Sequence, residues 1–300
     1  MSVYDKQVEN TKDLLNNLKI NEDTLSRNQK NFINENGFLV LPPPEFIKKN
    51  LKKLNKITSE LINFEGIKGG WEGKEENYKE GKPFEPNADR LGNLIEKNLI
   101  FAELITIPEI LAASHEVIKG DLKVGGLNLR NPHKNFGNQA LHIDCFPRQK
   151  LDEPFSGVVC YIYLDESTIE NGATKIIPKT HKKLGWPDDH IKTTAKHEKE
   201  FRAVVEAGSV IVLNLNTWHG GATNKNGNPR KTIFIQIKRR EEQQLLSYKK
   251  YLSDRTKKKL DENQKYLLAV RENDPIQKEN SYSVGKEYRK IFGKDRGTIK

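Results

Sequence analysis

The chain is poor in cysteine: Cys145 and Cys160 are the only two, and they do not form a C-x-x-C pair. That excludes a zinc knuckle and a thioredoxin-type motif, and two free thiols suit a reducing compartment. Long apolar runs are absent as well. No window holds the ~18 consecutive apolar residues that a membrane-spanning helix needs. Residues 1–25 are polar and charged, without the apolar core of a secretion signal, and the final Thr298-Ile299-Lys300 is not a peroxisomal address. A cytoplasmic location is the resulting expectation. The 66–73 stretch lacks the Gly-Lys-Ser/Thr ending of a phosphate-binding loop; glycine and charge there suit either a mobile lid or a plain surface loop. There is no internal repeat and no low-complexity linker.

What is present is charge. Lys and Arg number 51 against 41 Asp and Glu, a formal net charge of +10, and hydrophobic residues make up 35% of the 300, low for a globular chain but enough for a core. A basic excess fits nucleic acid, an anionic membrane surface or an anionic substrate. Acidic residues are interleaved almost everywhere, however. The densest basic runs are Lys48, Lys49, Lys52, Lys53 and Lys56, then Lys238, Arg239 and Arg240. Neither has the interleaved aromatics or module signature of a nucleic-acid binder. The charge therefore reads as solvated surface. No nucleic-acid or membrane partner is expected, oligomeric state is not legible, and the positive balance leans towards a small anionic substrate.

Periodicity divides the chain into three stretches, taken together as one domain. Residues 8–36 read as helical, 37–41 as a short strand stopped by Pro42, Pro43 and Pro44, and 45–64 as a helix. A Gly- and charge-rich loop spans 66–87, and helical patterning resumes over 91–119. From 121 to 239 the pattern changes to short β-branched runs bounded by Gly, Pro or Asn, at 122–130, 140–144, 157–164, 173–177, 201–205, 209–214 and 232–238. Strands at this density with no helices between them predict a sandwich, jelly roll or barrel. After Arg240 the chain reads as charged helices packing on that core.

Two sites stand out chemically, His142-Ile143-Asp144 and His219. Residues i and i+2 of a strand share a face, so His142 and Asp144 offer an imidazole and a carboxylate to one point. His219 follows a later strand, where the chain turns. Two histidines and one carboxylate with open positions form the facial triad of non-haem iron(II) oxygenases. An H-x-D triplet alone occurs by chance, and most of the seven histidines read as structural or solvated. The context strengthens this one, because Arg230 opens the last strand. A dicarboxylate that chelates a metal through its keto-acid end leaves a second carboxylate, which a guanidinium holds bidentately. Without the histidines, Arg230 would read as a solvated turn residue.

These pieces resemble the phytanoyl-CoA dioxygenase family of iron(II)/2-oxoglutarate oxygenases. The matching segments are Gln139-Ala140-Leu141-His142-Ile143-Asp144, Asn171-Gly172, Pro178-Lys179-Thr180-His181-Lys182, Trp218-His219-Gly220 and Arg230. The phrase Asn-Gly-x5-Pro-x-(Ser/Thr)-His-(Lys/Arg) is the most specific of them. Upstream, residues 29–41 resemble the family's helix-then-strand opening, so the likeness runs over about 25–239. It implies a double-stranded β-helix (jelly-roll, cupin-like) core flanked by N- and C-terminal helices. It implies Fe(II) on His142, Asp144 and His219, 2-oxoglutarate as co-substrate with Arg230 on its distal carboxylate and Gln139 beside it, and O2 as oxidant. The reaction implied is hydroxylation of a small metabolite with release of succinate and CO2. Asp144 argues against halogenation, which needs that carboxylate replaced by a small residue. Some members carry a serine two residues after the distal histidine. Here that position is Gly221, and Thr223 is the candidate replacement hydroxyl. That departure keeps open a second reading, a non-catalytic binding protein with a vestigial metal site on the same fold.

Tyr161 and Tyr163 share a strand face and are candidates for the barrel mouth or for ordinary core. Phe146 and Arg148 are candidate substrate contacts, and His181 reads as packing. The family acts on acyl-CoA thioesters, amino-acid-like solutes, phosphonates and natural products, and nothing in the sequence selects among them.

Overall fold

A computed structural model of the chain describes residues 8–72, 78, 80–275 and 284–293. Parts of the 66–87 loop (73–77 and 79) and of the C-terminal extension (276–283 and 294–300) lie outside the described residues.

The expected 8–36 helix is two helices, α1 (Thr11–Asn17) and α2 (Arg27–Asn36). Local polar side chains divide it. Asn10 caps α1 by accepting from the Asp13 N–H, and Ser26 and Gln29 form a reciprocal capping box on α2. Gly37, at φ +80°, ends α2 in the left-handed conformation. β1 (Phe38–Leu41) follows at once and stops at Pro42, which has no N–H for a ladder. α3 (Glu45–Glu65) buries Ile47, Leu54 and Thr58 on one face and leaves Lys48, Lys49, Lys52, Lys53 and Lys56 in solvent. The expected 91–119 helix starts late: Ala88–Leu91 is an edge strand, β2, and the helices are α4 (Leu94–Lys97), α5 (Ile100–Glu103) and α6 (Pro108–Ile118).

The β region holds β3 (Leu122–Pro132), β4 (Gly157–Tyr163), β5 (Lys175–Ile176), β6 (Phe201–Arg202), β7 (Val210–Asn214), β8 (His219–Gly220) and β9 (Thr232–Arg239). They form a six-stranded sheet, β1-β7-β4-β9-β3-β2, and a three-stranded sheet, β6-β5-β8, with every pairing antiparallel. This is the jelly-roll architecture, an open pair of sheets with helices outside. After it come α7 (Tyr248–Tyr251), α8 (Asp254–Lys257), α9 (Glu262–Leu268) and α10 (Val284–Phe292).

Period-2 alternation sorts the large sheet's side chains. Val158, Cys160, Ile162, Val210, Val212, Ile233, Ile235 and Ile237 point outward into the core shared with the helices. Val159, Tyr161, Tyr163, Ile211, Leu213 and Phe38 point inward, towards the small sheet. Both faces of β4 are covered, so all seven of its residues are buried.

The expected 140–144 strand is not a strand. Only His142 pairs, with His219, as an isolated antiparallel bridge. The backbone donors of this stretch go to scattered acceptors: Gln139 to Gly221, Leu141 to Thr193, His142 to His219 and Asp144 to Leu215. A continuous ladder is impossible when adjacent N–H groups serve two different neighbours. The basic run at 238–240 is not solvated surface either. Arg239 donates to the Ile118 carbonyl at 3.0 Å, and Arg240 reaches Asp274 at 2.7 Å over the face of Tyr266.

Candidate active site

His142 and His219 meet because the bridge pairs their backbones, each N–H donating to the other's carbonyl at 2.9 and 3.0 Å. Their rings lie 4.4 Å apart, centre to centre. His142 Nδ1 sits 2.9 Å from the Ala140 carbonyl, and His219 Nδ1 sits 2.9 Å from the Thr217 carbonyl. A carbonyl only accepts, so each Nδ1 carries a proton, which leaves Nε2 as the nitrogen available to a metal. The two Nε2 atoms face Asp144, at 3.8 and 3.4 Å from its carboxylate oxygens. One ligand atom from each of the three residues falls within 4.8 Å of the others. Sequence spacing predicted that His142 and Asp144 share a strand face; the bridge to β8 does the work instead.

Conserving this geometry falls to the Pro178–Lys182 phrase and to Gly37. The Thr180 hydroxyl accepts from the Trp218 N–H at 2.9 Å, and Ile177 donates to the Trp218 carbonyl. Thr217 donates its hydroxyl to the Gly37 carbonyl at 2.9 Å. Gly37 must be glycine on two counts, its positive φ and its surroundings: a Cβ there would overlap Thr217 Oγ1 and the His181 ring. His181 is packed against Phe155, and burial pushes its pKa down to about 4, so it stays neutral.

The three residues open on a cavity of about 860 Å³ between the sheets. Arg230 lines it too. It lies two residues before β9 and is 3% exposed. Its Nε donates to the Asn171 carbonyl at 3.1 Å, which gives the Asn171-Gly172 phrase a structural role. Its Nη2 is sealed from water with no acceptor, and no ion pair to it exists among the described residues. Nearby Arg130 and Arg202 add further positive charge. Burial pushes the guanidinium pKa down to about 10, so it is still charged at neutral pH.

Gln139 also lines the cavity, but its Oε1 accepts from the Gly221 N–H at 3.0 Å, and its own N–H donates to the Gly221 carbonyl. This double tie brings the 137–139 turn across Gly221. A Cβ at 221 would overlap the Gly137 carbonyl oxygen and lie 3.4 Å from Arg130 Nη1, so the position closed to serine in this chain is closed by backbone. Thr223 corrects the sequence reading: it does not line the cavity, because the backbone of residues 222–224 runs against Gly172. The threonine that does line it is Thr174, whose hydroxyl accepts from Tyr163 at 3.1 Å.

Of the remaining candidates, Tyr161, Phe146 and Arg148 line the cavity. Arg148 is committed to its own loop, donating to the carbonyls of Leu151, Glu153 and His181. Tyr163 is fully buried core. None of residues 66–72 lines the cavity; the later part of that loop does, through Phe84 and Glu85. Sequence reasoning missed Glu85, which grips Arg130 at 2.6–3.0 Å, and the β9 side chains Phe234, Gln236 and Lys238. The latter were legible, since they alternate with Ile233, Ile235 and Ile237.

Comparison with known proteins agrees with this geometry. The iron/alpha-ketoglutarate-dependent dioxygenase penM of Penicillium thymicola is 34% identical over 85 residues, 28% of this chain and 25% of its own. Dioxygenase trt7 of Aspergillus terreus is 27% identical over 156 residues, 49% of this chain and 53% of its own. The chain thus spans a quarter to about half the length of these curated relatives. Among solved structures, HygX from Streptomyces hygroscopicus with nickel and 2-oxoglutarate bound superposes with a TM-score of 0.58 at 17% identity, covering 73% of this chain and 89% of HygX. The carbocyclase SnoK from nogalamycin biosynthesis gives 0.54 at 15% identity, covering 72% and 85%. At these identities the likeness establishes the shared fold. Residues 33–232, two thirds of the sequence, match the family described as phytanoyl-CoA dioxygenase (PhyH), and the chain belongs to that family.

Proposed function

We propose that the protein is an iron(II)- and 2-oxoglutarate-dependent dioxygenase that hydroxylates a small molecule. The observation that carries this reading is Arg230: a buried guanidinium with no counter-ion among the described residues, in the same cavity as a His-Asp-His cluster. A buried charge without a partner is strongly unfavourable, so the site is complete only with an anion. The donor set fits the metal: two imidazoles with Nε2 turned to one point, and one carboxylate, the ligands that non-haem iron(II) takes with positions left open.

His142, Asp144 and His219 would hold the iron, and Arg230 would hold the far carboxylate of 2-oxoglutarate. The bound iron supplies the redox chemistry: 2-oxoglutarate, O2 and a substrate C–H go to succinate, CO2 and a C–OH. The Ala140 and Thr217 carbonyls fix each imidazole's tautomer and aim. Asn171 fixes the Arg230 guanidinium, and the double tie between Gln139 and Gly221 holds the wall between them. Tyr161, edge-on to Phe234 at 4.9 Å, lies in the cavity wall with its ring 6.1 Å from that of His219.

The test is an anaerobic titration of metal-free protein with iron(II) and then 2-oxoglutarate, recorded in the visible. Chelation by the keto acid gives a weak charge-transfer band and needs no knowledge of the substrate. Wild type is expected to form it and His219→Ala to lack it. A correctly folded wild type with no band would overturn the proposal and favour a binding protein with a vestigial site.

A further inference from the structure

The cavity floor is the inner face of the large sheet, and its chemistry changes across the strands. On β4 it is apolar and aromatic, with Val159 and Tyr161. On β9 and β3 it turns polar. Gln236 faces Val159 across one ladder, and Gly126 faces it across the other. Asn128, two residues along β3 from Gly126, shares the same face, and both carboxamides line the cavity. Lys238 continues the row on β9.

Neither Asn128 nor Gln236 has a side-chain hydrogen bond among the described residues, and Gln236, 9% exposed, has its Oε1 shut away from water without a donor. Gln236 reaches this position because β3 is bulged at two glycines: a Cβ on Gly125 would lie 3.3 Å from Gln236 Oε1. A barrel that takes a hydrocarbon has no reason to set two carboxamides in its floor, one of them with an oxygen sealed from water without a donor. A buried polar group left without a partner is unfavourable. The charges around the mouth are already engaged: Glu85 pairs with Arg130, and Lys238 donates to the Gln243 carbonyl at 3.0 Å in the field of Glu242. Apart from Arg230, they therefore do not select a highly charged anion.

We propose that Asn128 and Gln236 form the primary-substrate subsite, and that the substrate is a polar solute presenting hydroxyl or amino groups to them, not an acyl chain. A carboxamide offers one donor and one acceptor edge, which a hydroxyl or amine satisfies and a methylene does not. This assignment rests on the oxygenase reading above and names the substrate class for that same cavity. It also turns the sequence's lean towards an anionic substrate into a preference for hydroxyl and amino groups at this subsite.

The test uses the protein loaded anaerobically with iron(II) and 2-oxoglutarate. Two probe sets are added: polyols, amino sugars and hydroxylated amino acids in one, fatty acids and acyl-CoA thioesters in the other. Binding is read by the shift of the charge-transfer band and by the thermal midpoint. Members of the polar set are expected to bind, with Gln236→Leu and Asn128→Leu each weakening them about tenfold, the loss expected for one buried hydrogen bond. Binding confined to the acyl set, or no ligand in the polar set, overturns the proposal. So does a polar ligand whose affinity survives both substitutions. If Gln236→Leu fails to fold, Gln236→Glu, which keeps size and polarity, must still change the ranking of probes within the polar set. Failure of the oxygenase reading is separately visible, as loss of the band before any probe is added.

Discussion

At the scale of the single residue, the site is governed by which polar atoms are already engaged. Arg230 has one nitrogen on Asn171 and a terminal nitrogen with no acceptor among the described residues. Replacing it with Ala removes a charge-assisted pair to the incoming carboxylate, so 2-oxoglutarate affinity should fall about 10- to 100-fold, the equivalent of ~1.5–3 kcal/mol. The apo protein should melt no lower than wild type, because the cavity loses a buried charge that had no counter-ion. An anaerobic titration and a thermal melt read the two effects separately; unchanged affinity would remove Arg230 from the site. Gly221 is a second test. Restoring the serine that some relatives carry puts a Cβ into the Gly137 carbonyl. Gly221→Ser should therefore destabilise the fold by about 1–3 kcal/mol, typical of overpacking, and not tighten co-substrate binding. A stable variant with improved affinity would show that the 137–139 turn yields easily.

At the scale of elements, the metal cluster depends on joints between short segments. β8 is two residues long, and its outer neighbour is His142 alone. Such a bridge has little stability of its own and is held from behind by Thr180, Trp218, Thr217 and Gly37. Gly37 ends α2 and touches the residue whose carbonyl aims His219, so the N-terminal helix and the site are mechanically joined. Gly37→Ala should lower the melting midpoint and weaken iron(II) binding about tenfold, as loss of outer-shell support commonly does. Metal titration checks this; a destabilised protein with unaltered iron affinity would break the link. The C-terminal α9 contributes differently, by closing the helical core over β3 with Tyr266, Leu267 and Leu268.

At the scale of the whole molecule, one face of the large sheet is filled with side chains from the helices and the other is left half open. Ligands that fill the open half bind only the folded state, so they should stabilise it by linkage. Iron(II) and 2-oxoglutarate together at about 100 times their dissociation constants correspond to ~2.7 kcal/mol per site, or roughly 4 °C in melting midpoint for each in a chain of this size. A chelator should reverse the shift. 2-Oxoglutarate without metal should give a much smaller one, since Arg230 alone then holds it. Equal shifts with and without metal would place the co-substrate elsewhere. Among the described residues, no helix is long and apolar enough to cross a membrane.

The fold class was legible because it is a statement about period. Alternation at 157–164, 209–214 and 232–238 and turn residues between them require strands, and strands without intervening helices require stacked sheets. His142, Asp144, His219 and Arg230 stood out as candidates because few residue types suit iron and a carboxylate, and the fold brings all four to one cavity. Tertiary structure decided the rest. The two histidines meet through a backbone bridge between segments 77 positions apart, which no local spacing encodes. Thr223 looked usable along the chain and lies outside the cavity lining, since the path of a turn depends on the glycine it packs against. Lys238 belonged to a basic run in sequence and to a cavity floor in the fold, because sheet pairing, not composition, determines which side of a strand meets solvent. Polar positions on β9 became a substrate subsite only once β3 brought Asn128 alongside: a hydrogen bond left unmade is a property of neighbours, and neighbours are what folding supplies.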